Sequence, residues 1–151
     1  DLSGLVKALG IDAAGGVLDA AGLTGWCLNA GGDVLTRGVR ADGVPWVVGI
    51  VDPDDRGVLL SQATTGPGRR AVATSGLAER GDHVWRLGAD DTFTQVSVVA
   101  GDIVTADVLA TAILAGGPGT LASMEQRHDI DVLACAADGR LWASPPFLAA
   151  A

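Results

Sequence analysis

Short β-prone segments separated by turn residues run through the middle of this chain and limit the folds it can adopt. Seven of them follow one another between residues 26 and 100: WCLNA, DVLTRGV, PWVVGIV, GVLLSQA, RAVAT, HVWRL and FTQVSVVA. Two more, DVLACAA and RLWAS, come near the C-terminus and are joined across Asp138-Gly139. Because helical patterns flank the strands instead of alternating with them, the order predicts an α+β fold with a mainly antiparallel sheet.

Helical spacing of apolar residues predicts a long N-terminal helix and a buried helix near the C-terminus. The first ends near Gly22 and is interrupted at Gly15-Gly16, so one helix or two short ones are expected. The second covers residues 104–117, VTADVLATAILAGG, and a short helix is expected at about residues 122–127. Apolar side chains point in nearly every direction around the 104–117 helix, which predicts that it is buried.

Length and charge limit the class of protein and its partners. With 151 residues, 48% of them apolar, residues 1–151 are expected to form a single domain. The net charge is −8, and Lys7 is the one lysine beside nine arginines, which argues against a nucleic-acid partner. An anionic phosphate ligand would therefore need a metal ion to supply positive charge. The chain contains no uninterrupted run of 18 apolar residues and no leader after Asp1, so neither a membrane-spanning helix nor a signal peptide is predicted.

The two cysteines are interpreted as structural. Cys27 and Cys135 both lie within apolar, strand-like segments and are expected to be buried thiols, not a disulfide or a catalytic pair. Because the Cys/His spacing of a zinc site is missing from the sequence, no zinc site is predicted.

Asp107 and Thr111 interrupt the apolar 104–117 helix. One interpretation is local: Thr105 caps the helix, Asp107 lies at the second helical position, and Thr111 bonds back to a backbone carbonyl. The other starts from the cost of burying a carboxylate, about several kcal/mol unless a partner neutralises it. A distant arginine is one such partner and a hard cation is another. Since residues four apart share a helical face, both side-chain oxygens can reach one Mg²⁺.

Six motifs in order then point to a known family. They are D-L-S-G-L-V-K at 1–7, N-A-G-G-D at 29–33, PWVVGIVDP at 45–53, ATSG at 73–76, H-V at 83–84 and TADVLATA at 105–112 with a trailing Gly-Gly. In this order and spacing the set resembles the ApbE family, the FAD:protein FMN transferases formerly called thiamine biosynthesis lipoproteins. The resemblance extends from residue 1 to about residue 147. It implies an ApbE-like, T-fold-like architecture, with this chain corresponding to the C-terminal portion.

The resemblance implies a Mg²⁺-dependent transferase that cleaves the FAD diphosphate. FMN is moved to a Thr or Ser hydroxyl of a target flavoprotein, and AMP is released. The family's metal ligands correspond to Asp107, Thr111 and the backbone carbonyl of Gly4. The flavin-nucleotide contacts correspond to Asp1, Lys7, Thr74, Ser75 and Gly76. The general base for the acceptor hydroxyl corresponds to His83.

Each of these residues also has a structural interpretation. A single lysine such as Lys7 is commonly a solvated surface charge, and His83 and His128 are otherwise ordinary surface histidines. The N-A-G-G-D segment is a good hairpin turn whatever its function, with close approach to a ligand as a further role. Thr74-Ser75-Gly76 has no GxSxG elbow, so a serine hydrolase is disfavoured.

The sequence also departs from the family pattern. The I-D-P-x-T-G stretch that usually follows the histidine is replaced by VWRLGADDTFTQVSVV, and Ala8 stands where glycine is common. The family is about twice this length, so the chain is expected to be either the C-terminal half of a longer protein or a shortened homologue with an open site. Further expected partners are a missing N-terminal half of the protein or a second copy of this chain.

Two other functions stay open beside the transferase. One is an FAD pyrophosphatase that yields FMN and AMP, and the other is a non-catalytic module that binds flavin or a protein partner. The residue usage, rich in Ala, Gly, Val and Arg, is typical of a GC-rich bacterial genome. The compartment is left undecided between the cytoplasm and the outer side of the cytoplasmic membrane.

Overall fold

The described part of the chain folds into three helices and eight strands. This computed structural model describes residues 3–68, 70–76 and 93–148. In chain order the elements are α1 Ser3–Ala20, β1 Trp26–Ala30, β2 Asp33–Arg37, β3 Val47–Val51, β4 Leu59–Thr64, β5 Ala71–Gly76, β6 Phe93–Ala100, α2 Ile103–Arg127, β7 Asp131–Ala136, β8 Leu141–Ala143 and α3 Pro145–Leu148.

The strands form one large sheet and one hairpin. Six strands are ordered β1-β2-β5-β6-β7-β8, and β3 pairs with β4 separately. Every pair is antiparallel, which confirms the predicted α+β class. The strand predicted at residues 83–87 lies outside the described residues.

Alternation along the strands gives the large sheet two buried faces. One face packs against α1 and α2 and includes Trp26, Leu35, Ala73, Val96 and Val98. The opposite face packs against the β3–β4 hairpin and α3, with Val72, Val99 and Leu133 of the sheet meeting Ile50, Ala63 and Phe147. The sheet is therefore the middle layer, and a residue's position in its strand decides which layer it faces.

Helix α2 begins earlier than predicted. Asp102 is its N-cap, and the Asp102 carboxylate accepts a hydrogen bond of 2.8 Å from the backbone N–H of Thr105. The prediction that Thr105 caps the helix is therefore wrong. Counted from Ile103, Asp107 is the fifth helical residue, beyond the first turn in which a carboxylate benefits most from the helix dipole. The local explanation for Asp107 loses its main support.

The two helices predicted from residue 104 to residue 127 form one kinked element. Gly117 has a φ of 68°, outside the helical range, and Pro118 follows it. Because proline lacks an N–H and its ring clashes with the preceding turn, the chain bends there. The second segment starts at Pro118, a few residues before the predicted start.

By length and composition alone, α2 is apolar enough to cross a membrane. The criterion of an uninterrupted apolar run misses this helix, because polar residues are spaced through the segment. In the structure α2 packs against β5, β6 and α1 and contributes Ile103, Ala106, Leu109, Ala110 and Ile113 to the core. This packing is typical of a core helix.

Helix α1 passes through the Gly15-Gly16 pair without a break, and the two glycines give a first prediction. A Cβ on Gly15 would lie 2.8 Å from the Trp26 ring, whereas a Cβ on Gly16 would meet nothing within 4 Å. We expect Gly16→Ala to raise the free energy of unfolding by about 0.5–1 kcal/mol, because alanine loses less backbone entropy. We expect Gly15→Ala to lower it by about 1–3 kcal/mol through overpacking. Urea denaturation measures both, and equal stabilities for the two variants would contradict the packing of α1 against Trp26.

Candidate functional site

The tight turn between β1 and β2 positions the carboxylate of Asp33. Gly31 and Gly32 have φ angles of 61° and 90°, a conformation that favours glycine, and they join the paired residues Ala30 and Asp33. The Asn29 side-chain carbonyl accepts a hydrogen bond of 3.1 Å from the Gly32 N–H. The predicted hairpin turn is confirmed, and it places Asp33 at the start of β2.

Asp33 is completely buried and connects α1 with β5. Its side chain has 0% exposure. The Lys7 ammonium nitrogen lies 2.5 Å from Asp33 Oδ2, and the backbone N–H of Thr74 donates to Asp33 Oδ1 over 3.3 Å. Lys7 is therefore an ion-paired residue and not a freely solvated surface lysine.

A second contact joins β5 to α2. The hydroxyl oxygens of Ser75 and Thr111 lie 2.9 Å apart and are hydrogen-bonded. Asp107 lies one turn earlier on the same face of α2 and is 5% exposed, whereas Thr111 is exposed. Buried carboxylate and accessible hydroxyl are thus adjacent on the helix, beside the end of β5.

The predicted residues Thr74 and Ser75 face opposite layers. Ser75 points toward α2, while the Thr74 hydroxyl lies 2.8 Å from that of Ser97 on the other face of the sheet. The Thr74 backbone N–H donates to Asp33, which is the ion-pair partner of Lys7. A shared role for both hydroxyls at one point is excluded by strand alternation.

A groove of about 370 Å³ lies on that opposite face, between the β3–β4 hairpin and the sheet. Thr74, Gly76 and Asn29 line it. The Gln95 side-chain amide donates a hydrogen bond of 2.9 Å to the Val51 carbonyl, which ties the hairpin to β6. Gly76, predicted to contact the nucleotide, therefore lies at the end of β5 beside this groove.

For three further predicted residues the structure gives little or no information about the site. Gly4 lies in the first turn of α1, a helix that packs against α2. Asp1 and His83 lie outside the described residues.

The cysteines differ from each other. Cys135 is buried, as predicted, but Cys27 is exposed, so the prediction for Cys27 is wrong. Burial and the nearby carboxylates of Asp52 and Asp54 raise the pKa of Cys135 to about 11. Although Cys27 is exposed overall, partial burial of its thiol also raises its pKa. A raised pKa lowers the thiolate fraction at neutral pH, so neither thiol has the activation expected of a nucleophile.

Asp33 is the residue of this arrangement that sequence reasoning missed. It belongs to the N-A-G-G-D motif, which was interpreted as a turn. The available signal was its position: an aspartate that directly follows a two-residue turn and begins an inward-facing strand must bury its carboxylate against a partner. The sequence contains one lysine and nine arginines, and the motif does not indicate which of them pairs with Asp33.

The chain matches known proteins over most of its length. Residues 1–134 match the family described as the ApbE family. The FAD:protein FMN transferase of Vibrio cholerae is 29% identical over 147 residues, covering 88% of this chain and 43% of the relative. That of Escherichia coli K12 is 25% identical over 162 residues, covering 97% and 46%.

Solved structures show the same relationship. The flavin transferase ApbE from Vibrio cholerae superposes with a TM-score of 0.74 at 28% identity, covering 96% of this chain and 50% of that one. The ApbE protein from Thermotoga maritima gives a TM-score of 0.78 at 25% identity, covering 99% and 52%. The chain spans less than half the length of the curated relatives it matches. On the family match and these superpositions, the chain belongs to the ApbE family.

Proposed function

We propose that this chain carries the metal and nucleotide site of a Mg²⁺-dependent FAD:protein FMN transferase. In the reaction, a Thr or Ser hydroxyl of a target flavoprotein attacks the FMN phosphorus of FAD. A new P–O bond forms, the diphosphate bond breaks, and AMP leaves. Two contacts support the proposal. The Lys7–Asp33 pair reaches the backbone N–H of Thr74, and the adjacent Ser75 contacts Thr111, which shares a face of α2 with Asp107.

The oxygen donors fit Mg²⁺. Within the described residues no group of three His, Cys, Asp or Glu side chains is placed to hold a metal. The proposed donor set instead has one carboxylate from Asp107, one hydroxyl from Thr111 and the backbone carbonyl of Gly4. Mg²⁺ is commonly held by one or two carboxylates and completes its shell with water and substrate phosphates. When bound, it would neutralise charge on the diphosphate oxygens.

The contact between Ser75 and Thr111 is compatible with this role. A hydroxyl has one donor and two acceptor lone pairs, so Thr111 can donate to Ser75 and keep a lone pair for a cation. Ser75 then orients the Thr111 hydroxyl. We infer that Ser75 supports the metal site through Thr111 as well as contacting the nucleotide.

Lys7 supplies the second positive charge. It is the single lysine in a chain of net charge −8, and its ammonium pairs with Asp33 at the start of β2. Transfer of a phosphoryl-linked group depends mainly on positioning and charge neutralisation, which Lys7 and the metal site provide together. His83 is proposed as the base that accepts the proton of the acceptor hydroxyl.

A second function would use the same site. Without a bound acceptor, water would attack the same phosphorus, and the products would be FMN and AMP. A module that binds flavin without turnover is the third outcome.

One incubation distinguishes these three functions. The chain is mixed with FAD, Mg²⁺ and a peptide that contains an acceptor threonine, with EDTA replacing Mg²⁺ in the control. We expect a fluorescent flavinylated peptide and stoichiometric AMP, both dependent on Mg²⁺. AMP with free FMN and unlabelled peptide would instead identify a pyrophosphatase, and FAD binding without AMP would identify a binding module. If the chain neither binds FAD nor releases AMP, the proposal is contradicted.

A further inference from the structure

Asp33 makes contacts that the proposed function does not yet use. The Asp33 side chain, 0% exposed, directs Oδ2 at the Lys7 ammonium of α1, 2.5 Å away. Its Oδ1 accepts the Thr74 N–H of β5. One carboxylate therefore connects a helix and a strand that both carry predicted nucleotide-binding residues.

The ion pair restricts Lys7 before any ligand arrives. A lysine side chain has several rotatable bonds, and holding it in one geometry costs conformational entropy. Here the buried carboxylate has already selected a geometry, and the Lys7 side chain retains 27% exposure. An ammonium has three N–H donors, so the contact with Asp33 leaves donors for phosphate oxygens.

Contacts through β5 link the Lys7 ammonium to the α2 residues that are proposed to hold the metal. Thr74, whose N–H is held by Asp33, immediately precedes Ser75, and the Ser75 hydroxyl contacts that of Thr111. The ammonium and the face of α2 with Asp107 and Thr111 are thereby connected through two residues of β5. A ligand with two linked phosphates needs two centres of positive charge at a fixed separation, and preorganising them lowers the entropic cost of binding.

We propose that Asp33 is a positioning residue, which holds the Lys7 ammonium for the diphosphate of the flavin nucleotide. The proposal rests on the proposed function and extends it to a residue of the N-A-G-G-D turn. It predicts that Asp33 acts through Lys7. A purely structural Asp33 would instead affect stability without a specific effect on the lysine.

The first test measures Lys7 directly and needs no flavin. Because Lys7 is the single lysine, acylation with an N-hydroxysuccinimide ester, read by peptide mass spectrometry, reports one side-chain amine. Asp33→Asn keeps the acceptor for the Thr74 N–H and removes the charge that pairs with Lys7. We expect Lys7 to be acylated several-fold faster in Asp33→Asn than in the parent. An unchanged rate would overturn the proposal.

Asp19→Asn is the matched control. Asp19 is also an aspartate on the helix side of the sheet, where it pairs with Arg37 and accepts a hydrogen bond from the Trp26 indole. It does not contact Lys7, so we expect acylation of Lys7 at the parent rate. Faster acylation in both variants would show general loosening of the fold and would contradict a specific hold by Asp33.

The second test links the hold to the ligand. FAD affinity is measured for the parent, Asp33→Asn, Lys7→Gln and the double variant. We expect Asp33→Asn to weaken binding about tenfold in the parent, and by less than about twofold when Lys7 is already glutamine, because the two residues act as one unit. Additive effects would overturn the proposal. If Asp33→Asn does not fold, Asp33→Glu, which keeps the charge but displaces it by one methylene, replaces it with the same expected non-additivity.

The two tests fail in distinguishable ways. A parent chain with no affinity for FAD would contradict the proposed function and the nucleotide part of this inference. The acylation rates would still decide whether Asp33 holds Lys7.

Discussion

We expect Asp107→Ala to abolish the Mg²⁺ dependence of FAD cleavage and to lower AMP release by roughly 100-fold or more. The reason is that a metal ion contributes several kcal/mol of charge stabilisation in phosphoryl-type transfers, and Asp107 is the one carboxylate of the proposed donor set. The measurement is the initial rate of AMP formation as Mg²⁺ is titrated, with circular dichroism to confirm folding. Full Mg²⁺-dependent turnover in Asp107→Ala would show that the ligand assignment is wrong.

Asp102→Ala is the matched control on the same helix. The Asp102 carboxylate caps α2 through the Thr105 N–H and hydroxyl, at 2.8 and 2.7 Å. Its loss is expected to cost about 1 kcal/mol of stability. It should leave the Mg²⁺ dependence of AMP release unchanged, because the residue lies outside the proposed site. The two aspartates, five positions apart, would then separate a structural carboxylate from a metal ligand.

His83→Ala is expected to leave FAD affinity within about twofold of the parent while transfer to the acceptor peptide falls about 10²- to 10⁴-fold, the usual contribution of a general base. FAD affinity is followed by the change in flavin fluorescence, and transfer by fluorescence of the peptide after separation. His128→Ala is the control, since His128 is exposed and contributes its backbone N–H to the end of α2. Equal transfer by His83→Ala and the parent would remove His83 from the mechanism.

Much of the fold follows from local patterns. The Trp26–Ala30 and Phe93–Ala100 strands have the predicted bounds, because both combine β-prone residues with clear turns at their ends. The start of α2 was misplaced because Asp102, Thr105 and Asp107 are all good residues for a helix N-terminus. Only the hydrogen bond from the Thr105 N–H shows which of them caps.

The candidate site was less accessible from the sequence. The i, i+4 rule placed Asp107 and Thr111 together without tertiary information. The layer that a strand residue faces depends on the pairing of distant strands, so the opposite directions of Thr74 and Ser75 could not be read from the T-S-G motif. The pairing of Lys7 with Asp33 likewise depends on where α1 crosses β2, which a short motif does not encode.

Exposed apolar side chains on α1 are relevant to how the chain behaves in isolation. Val6 and Val17 are each 67% exposed, and Leu9 is 51% exposed. Surfaces of this kind promote association. The activity and binding measurements proposed above therefore need the oligomeric state determined at the assay concentration, by light scattering.

We propose that Asp107 and Thr111 hold a divalent cation where the diphosphate of FAD binds. The most direct measurement is anomalous diffraction from crystals grown with FAD and Mn²⁺ as a substitute for Mg²⁺. We expect an anomalous peak about 2.1 Å from oxygens of Asp107 and Thr111, with phosphate oxygens of the nucleotide completing the shell. Bound FAD with the anomalous peak elsewhere, or with Asp107 directed away from the diphosphate, would contradict it.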